Sequence, residues 1–285
     1  MRERNKWLYP GRDVLFLLPG LLGFGLWYLV PFVSSMVRSF LSDDAALRFV
    51  GLQNYIDICQ NSYYTLSLRN TTLFLVEAIV LCLVLGFVLA GLLFRMERRD
   101  QASMPFVAMV LLIPIFLPTA AVVPLWKNMF GTNTWLVQHI PMRDSSWKYL
   151  MLMLIYVWKN VGAVNLLFLT GLNAIDRSVF DAARVDGAGR PKAMLRIALP
   201  LLRPVTLFGI IYLAMNGLRI FRESYLLCGK YPPKNLYFIQ NYVNNHFSKL
   251  DYSLLSAGST LFALIVTVAF AVIWLLLGRK DGEAV

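Results

Sequence analysis

Apolar residues run along this chain in long blocks, without the alternation of half-buried strands or the stripe of a surface helix. Windows of about 20 residues, the length that carries a helix across the hydrocarbon at 1.5 Å per residue, pick out six blocks: 14–37, 71–94, 105–126, 149–172, 205–227 and 254–277. Each predicts a transmembrane helix. The first follows a basic start of Arg2, Arg4, Lys6 and Arg12, as a secretory signal would. It is longer than a signal's apolar stretch and no small-residue cleavage site follows it, so it reads as a retained span. Residues 1–13 are then an N-terminal segment, 14–277 the membrane domain and 278–285 a tail.

Basic residues orient the spans, because cytoplasmic loops are enriched in Lys and Arg. One set of connections holds fifteen: Arg2, Arg4, Lys6, Arg12, Arg95, Arg98, Arg99, Arg177, Arg184, Arg190, Lys192, Arg196, Arg203, Arg279 and Lys280. The other holds eight: Arg48, Arg69, Lys127, Arg143, Lys148, Lys230, Lys234 and Lys249. The first set is expected in the cytoplasm, with both termini inside.

Composition fits this pattern and narrows the function. Of 285 residues, 58% are hydrophobic and 15% charged, with a mean hydropathy of +0.60, against roughly 45–50% apolar and 25% charged in a soluble domain. That excludes an ordinary cytosolic enzyme, a disordered tail and a disulfide-stapled scaffold. A net charge of +11 would suggest nucleic acid in a soluble protein; here the loop bias accounts for it and no nucleic-acid partner is expected. Cys59, Cys82 and Cys228 show neither CxxC nor metal-ligand spacing. His139 and His246 both fall in loops without a nearby second ligand, which leaves no constellation for catalysis or a metal.

The outer connections read as short amphipathic pieces. Gly51-Leu52-Gln53-Asn54-Tyr55 suits a helix or turn at the interface. Tyr231-Pro232-Pro233 forces a turn, followed by Tyr237, Phe238, Tyr242 and Phe247 at roughly helical spacing. An aromatic belt and a surface for a partner protein both fit them.

The longest inner connection, 173–204, is more specific. Ser178 is placed to cap a short helix with Asp181 in its first turn, favourable against the helix dipole, and Ala182 and Ala183 continue it. Gly187 and Gly189 break it, Pro191 suits the first turn of a second helix, and Pro200 with Pro204 closes that one before the fifth span. The result is a helix, turn, helix whose small residues let a second protein approach the backbone. Function then lies in contact rather than catalysis.

Asp181-Ala182-Ala183, Gly187, Ile197 and Leu199-Pro200 keep every spacing of the Glu-Ala-Ala loop of the inner-membrane permeases of binding-protein-dependent ABC importers. The chain resembles that family, with Asp181 in place of the family's Glu. Leu18-Pro19-Gly20, Pro31, Gly51-Leu52-Gln53-Asn54-Tyr55 and Asn70-Thr71-Thr72-Leu73 extend the likeness, over essentially the whole chain, to the first permease of the carbohydrate-uptake type, that of maltose and glycerol-phosphate. The resemblance implies an all-α integral membrane protein of six transmembrane helices with the type I permease fold, multi-pass in the bacterial plasma (inner) membrane. It implies a coupling helix at about 179–189 seated on a separate ATPase. The partners it implies are two such ATPases, a second permease in a heterodimer, an extracytoplasmic solute-binding protein and membrane lipid. No cofactor is expected on this chain; ATP and Mg belong to the ATPases, in keeping with the lack of a GxxxxGK[ST] phosphate loop here.

Ionisable residues at membrane depth are costly and mark function by default. Glu77, Lys159, Arg219, Arg222 and Glu223 are such residues. At 3.6 residues per turn Tyr212, Asn216, Arg219 and Glu223 fall on one stripe. With Tyr156, Lys159 and Asn160 of the fourth span they form a candidate substrate path, since sugars take amide, carboxylate and guanidinium hydrogen bonds over aromatic rings. Equally, Arg219 with Glu223, and Glu77 with Lys159, would form pairs that only lock helices together. Ser256, Thr260, Ala263 and Thr267 give the sixth span a small-residue packing face. The reading is a non-catalytic permease subunit passing a sugar or oligosaccharide inward. The competing class is a self-sufficient ion-coupled secondary transporter, which calls for inverted repeats with interrupted helices. No repeat of span pairs is evident.

Overall fold

The computed structural model describes residues 13–44, 47–97, 104–130, 144–247 and 251–277. The orienting residues Arg2, Arg4, Lys6, Arg12, Arg98, Arg99, Arg143, Lys249, Arg279 and Lys280, together with His139, lie outside the described residues. The helices in chain order are α1 (Asp13–Phe24), α2 (Val30–Arg38), α3 (Gln53–Gln60), α4 (Ser62–Glu97), α5 (Met104–Phe116), α6 (Thr119–Phe130) and α7 (Asp144–Ala174). After them come α8 (Arg177–Val185), α9 (Arg190–Ala193), α10 (Leu199–Leu201), α11 (Arg203–Gly217), α12 (Phe221–Cys228), α13 (Ile239–Phe247) and α14 (Tyr252–Leu277). The chain divides into two units, residues 1–62 with 246–265 and residues 63–245 with 266–285.

In the first unit α1 runs into α2 through one π turn, Gly25–Leu29, in which Val30 N–H donates to the Gly25 carbonyl five residues back. Pro31 explains the wider turn: without an N–H it leaves the Trp27 carbonyl without its usual partner, and the extra residue absorbs the misfit. No side chain of Phe16–Arg38 is buried; Trp27 is 79% exposed. The Gly51-Leu52-Gln53-Asn54-Tyr55 motif ties α3 back onto the end of α2. Asn54 at the start of α3 donates to the carbonyls of Ser39 at 2.9 Å and Leu41 at 2.8 Å, and the Ser39 and Tyr55 hydroxyls share a 2.6 Å hydrogen bond. The Asp43 carboxylate accepts from both the backbone N–H and the hydroxyl of Ser253 at 3.0 Å, which caps the first turn of α14.

In the second unit α7 is the buried axis. Phe74 of α4 is fully buried and meets Tyr149, Tyr156 and Phe238 in edge contacts with ring centroids 5.4–6.0 Å apart. Gly162 lets α5 touch the α7 backbone: a Cβ there would fall 1.8 Å from the Leu111 carbonyl oxygen. Asn70 donates to the carbonyls of Lys234 and Tyr237, and Thr71 accepts from the N–H of Ile239. The Asn70-Thr71 pair therefore fixes the segment between α12 and α13 against α4.

Two expectations about the spans need correction. Among the described residues five helical stretches are long and apolar enough to cross a membrane: Phe16–Arg38, Ser62–Arg95, Asp144–Ala174, Arg203–Cys228 and Tyr252–Leu276. The block expected as one transmembrane helix at 105–126 is a pair of helices, Phe106–Phe116 and Thr119–Phe130, bent by 96°. Pro118 is the cause, since it offers no N–H and drives Leu117 out of the α region. The stretch Arg203–Cys228 is interrupted too: α11 ends at Gly217 and α12 begins at Phe221, with the intervening amides of Arg219 and Ile220 bonding three residues back, to Asn216 and Gly217. The stripe expected along one continuous helix is split between α11 and α12.

Candidate functional site

The loop after α7 begins with a cap that differs from the one expected. Asp176 takes that role, its carboxylate accepting from the Ser178 N–H at 2.8 Å. That N–H, and the side chain of the same serine, hold the Asp176 carboxyl below the usual carboxylate range. Ser178 is therefore the second residue of α8, and Asp181 lies past its first turn, 3.6 Å from Arg184. A carboxylate two residues upstream, on extended backbone, outcompetes a serine already inside the helix.

α8 ends as the glycine predicts, for a reason visible in the backbone. Gly187 has φ +73°, and Ala188 N–H donates to the Ala183 carbonyl at 2.9 Å. This is the six-to-one bond of a Schellman termination, whose left-handed position glycine occupies without a Cβ penalty. Phe180 and the buried Ala183 turn inward, with the Phe180 ring 5.7 Å from Phe94 of α4. Asp181, Ala182 and Val185 are exposed, Val185 by 88%. Downstream, Pro191 opens α9 as expected, but Pro200 does not close the helix. A π turn, Met194–Ala198, with the Leu199 N–H on the Met194 carbonyl, carries the chain past it. The break comes at Leu202, before Pro204 in the first turn of α11. Ile197 and Leu199 are half-buried and Pro200 is exposed.

Deeper in the unit, three helices meet at one cluster. Lys159, midway along α7, donates to the Thr119 hydroxyl at 2.9 Å and pairs with Glu223 Oε1 at 3.2 Å; Thr119 donates to the same oxygen at 2.9 Å. The Lys159 and Glu223 side chains are 16% and 12% exposed. Beside them Asn216 donates to Asn160 Oδ1 at 3.2 Å, Asn160 donates to the Tyr156 carbonyl, and Tyr156, itself buried, donates its hydroxyl to the Leu213 carbonyl.

Several sequence candidates are thus brought together, in pairings other than those expected. Glu223 takes Lys159 instead of Arg219, and Glu77 accepts from the Tyr149 hydroxyl at 2.6 Å instead of from Lys159. Glu223 faces Lys159 and Thr119, whereas Arg219, in the turn before α12, stays exposed. Tyr212 is half-buried on α11, whereas Arg219 and Arg222 are exposed at the break. Thr119 escaped the sequence reading. Its signal was the residue after a helix-breaking Pro, where a hydroxyl is favoured at a helix start. Among the described residues no group of three or more His, Cys, Asp or Glu side chains could hold a metal ion. The cluster offers hydrogen bonds and compensated charge.

Residues 82–279 match the sequence model of the binding-protein-dependent transport system inner membrane component. The chain belongs to this family. It is an inner-membrane, multi-pass permease of the ABC importer class, a non-catalytic subunit whose ATP hydrolysis is done by a separate ATPase. The permease is 28% identical over 242 residues to the trehalose/maltose transport system permease protein of Thermococcus litoralis, covering 81% of this chain and 80% of the relative. It is 28% identical to the arabinooligosaccharides transport system permease protein of Bacillus subtilis (78% and 74% covered). Against the sn-glycerol-3-phosphate transport system permease protein of Yersinia pestis it is 26% identical (89% and 85% covered). Its fold matches a chain in the crystal structure of a bacterial ABC transporter that imports the acidic polysaccharide alginate, with a TM-score of 0.78 at 18% identity, covering 95% of this chain and 97% of that one. Neither family nor fold speaks for the ion-coupled class weighed from the sequence.

Proposed function

We propose that this permease forms one half of the translocation pathway of an ATP-driven importer for a sugar or oligosaccharide, and that α8 couples it to the ATPase. The observation that carries the reading is the loop itself. Asp181-Ala182-Ala183, Gly187, Ile197 and Leu199-Pro200 keep the family spacing, and α8 stands on Asp176 and Gly187 with Asp181, Ala182 and Val185 exposed on one side. A short rigid helix with small and acidic residues on its open face suits a cleft on a moving partner. The sugar class rests on the relatives, whose names include trehalose/maltose and arabinooligosaccharides.

In this reading residues 14–277 form six crossings, the bent α5 and α6 counting as one, with both termini and the 173–204 loop inside, as the distribution of basic residues supports. A second, similar permease completes the pathway, two ATPases bind the inner loops, and a solute-binding protein delivers substrate outside; one matched alginate importer structure is a complex with such a periplasmic protein. Tyr156, Lys159, Asn160, Tyr212, Asn216, Arg219 and Glu223 border the path. Exposed Arg219 at the helix break and the Asn216 amide are the groups best placed to meet hydroxyls, while Tyr156 and the Lys159–Glu223 pair hold the wall.

The test is to extract the tagged chain in mild detergent, identify what copurifies and measure vanadate-sensitive ATP hydrolysis. Recovery of an ATPase and a second permease is the expected result. A lone chain that moves solute into vesicles without ATP would overturn the proposal.

A further inference from the structure

A cavity of about 490 Å³ lies between the C-terminal end of α4 and the coupling loop. Its walls are apolar, with Phe87, Val88 and Leu92 from α4 and Phe180 and Met194 from the loop. At about 30 Å³ per water in the liquid, it is large enough for some sixteen waters, which those walls would not hydrogen-bond. Arg95, Arg184 and Arg190 also line it, and no carboxylate does. Val88 and Leu92 are more than half exposed on α4, a helix apolar enough to cross the membrane, so the cavity continues onto an apolar outer face.

From this we infer that the cavity binds one anionic phospholipid, its phosphate on the three guanidiniums and an acyl chain along Val88, Leu92 and Phe87. Charge complementarity selects the occupant: an apolar slot lined by three arginines, against the single Asp181 carboxylate 3.6 Å from Arg184, fits a ligand that is both greasy and anionic. Basic pockets at the cytoplasmic ends of membrane helices take such headgroups. The site does not compete with the face of α8 assigned to the ATPase. At 100° per residue Phe180 and Arg184 lie on the α4 side of α8 and Ala182 and Val185 are turned away from it, with Asp181 between the two and 3.6 Å from Arg184. One helix thus contacts lipid and ATPase at once, and an ordered lipid behind α8 would stiffen its seat on α4.

The inference rests on the inward placement of this loop proposed above, and lipid retention can be read without transport. The full chain in mild detergent is titrated with dioleoylphosphatidylglycerol or dioleoylphosphatidylcholine and followed by native mass spectrometry. One phosphatidylglycerol is expected to be retained in preference to phosphatidylcholine. At about fivefold per arginine, from roughly 1 kcal/mol each near an anionic surface, R184Q/R190Q should lower phosphatidylglycerol affinity about 25-fold and leave phosphatidylcholine unchanged. V88W, which fills the slot from an exposed position, should lower both. R177Q/R196Q, which removes two loop arginines that do not line the cavity, should change neither. Equal retention by wild type and R184Q/R190Q, an equal loss in R177Q/R196Q, or displacement of the lipid by inorganic phosphate in large excess would each overturn the inference. A failure of ATP-driven uptake with lipid retention intact would count against the importer reading alone.

Discussion

The Lys159–Glu223 pair is where a single substitution should be felt most. Lys159→Met keeps the apolar stem and removes the ammonium, leaving Glu223 with Thr119 as its remaining donor. At 3.2 Å and an effective dielectric of 20 the lost attraction is about 5 kcal/mol. Removing one partner of a buried pair costs about 3–5 kcal/mol in measured cases. Both side chains keep slight exposure, so the low end applies, and Lys159→Met should cost about 3 kcal/mol. Glu223→Gln retains an amide oxygen that can accept from both Thr119 and Lys159, for a smaller loss of about 2 kcal/mol. In the double variant no charge is stranded. Its loss should be about 2 kcal/mol, giving a coupling energy of about 3 kcal/mol.

The assay is reversible unfolding in mixed micelles, followed by tryptophan fluorescence with Trp158 next to the pair. Apparent stabilities of wild type, both single variants and the double variant close the cycle. Additive losses, or single variants each within about 0.5 kcal/mol of wild type, would mean that the three-helix cluster does not form.

Other outcomes follow from single contacts. Gly162→Ala places a Cβ 1.8 Å from the Leu111 carbonyl oxygen, so α5 and α7 must separate at a cost of at least about 2 kcal/mol; unchanged thermal stability in detergent would contradict that crossing. Gly187→Leu meets open space at φ +73°, costing only about 1–2 kcal/mol of local strain, yet it should abolish ATP-driven uptake while the chain still accumulates; normal uptake would remove the coupling role of α8. Asn54→Ala deletes two bonds to carbonyls, worth about 1 kcal/mol each, and should raise hydrogen exchange in residues 39–42 and 53–60. Because the Asp176 carboxyl is held down by Ser178, its contribution is fully present above the ordinary Asp range and fades as pH falls through the lowered value. Exchange protection of α8 should show that acid step and lose it in Asp176→Asn.

How much of the fold was legible in the sequence depends on the physics of each signal. Block hydropathy is long-range and redundant, so the spans survive small local changes. The loop motif was equally readable, because Gly187 answers a backbone demand that only left-handed φ makes, and Pro191 sits where a helix start tolerates it. Local competitions were less legible. Ser178 is a sound cap in isolation and loses to Asp176 two residues earlier. Periodicity alone suggested the Arg219 to Glu223 stripe, and periodicity carries no information about a break. Gly217 and the residues after it hold no proline to announce one.

Pro19, Pro114 and Pro124 sit inside α-helices, while the prolines that do alter the helix have two outcomes. Pro31 and Pro200 each follow a π turn, and the helix passes through with an extra residue. Pro118 instead turns the chain by 96°. What distinguishes it is the next residue: Thr119 begins a new helix with its hydroxyl donated to Glu223 and accepting from Lys159, so a tertiary contact rewards the break. The same glutamate opens α12 just beyond the interruption of the fifth span. Two broken spans are therefore tied through one carboxylate to the middle of α7. A displacement of α12 cannot be absorbed locally without breaking hydrogen bonds to Thr119 and Lys159, so α6, α7 and α12 should move as one body when the loop behind them is pushed. Sequence periodicity treats each span separately and could not have found that tie, which depends on two interruptions facing the same lysine.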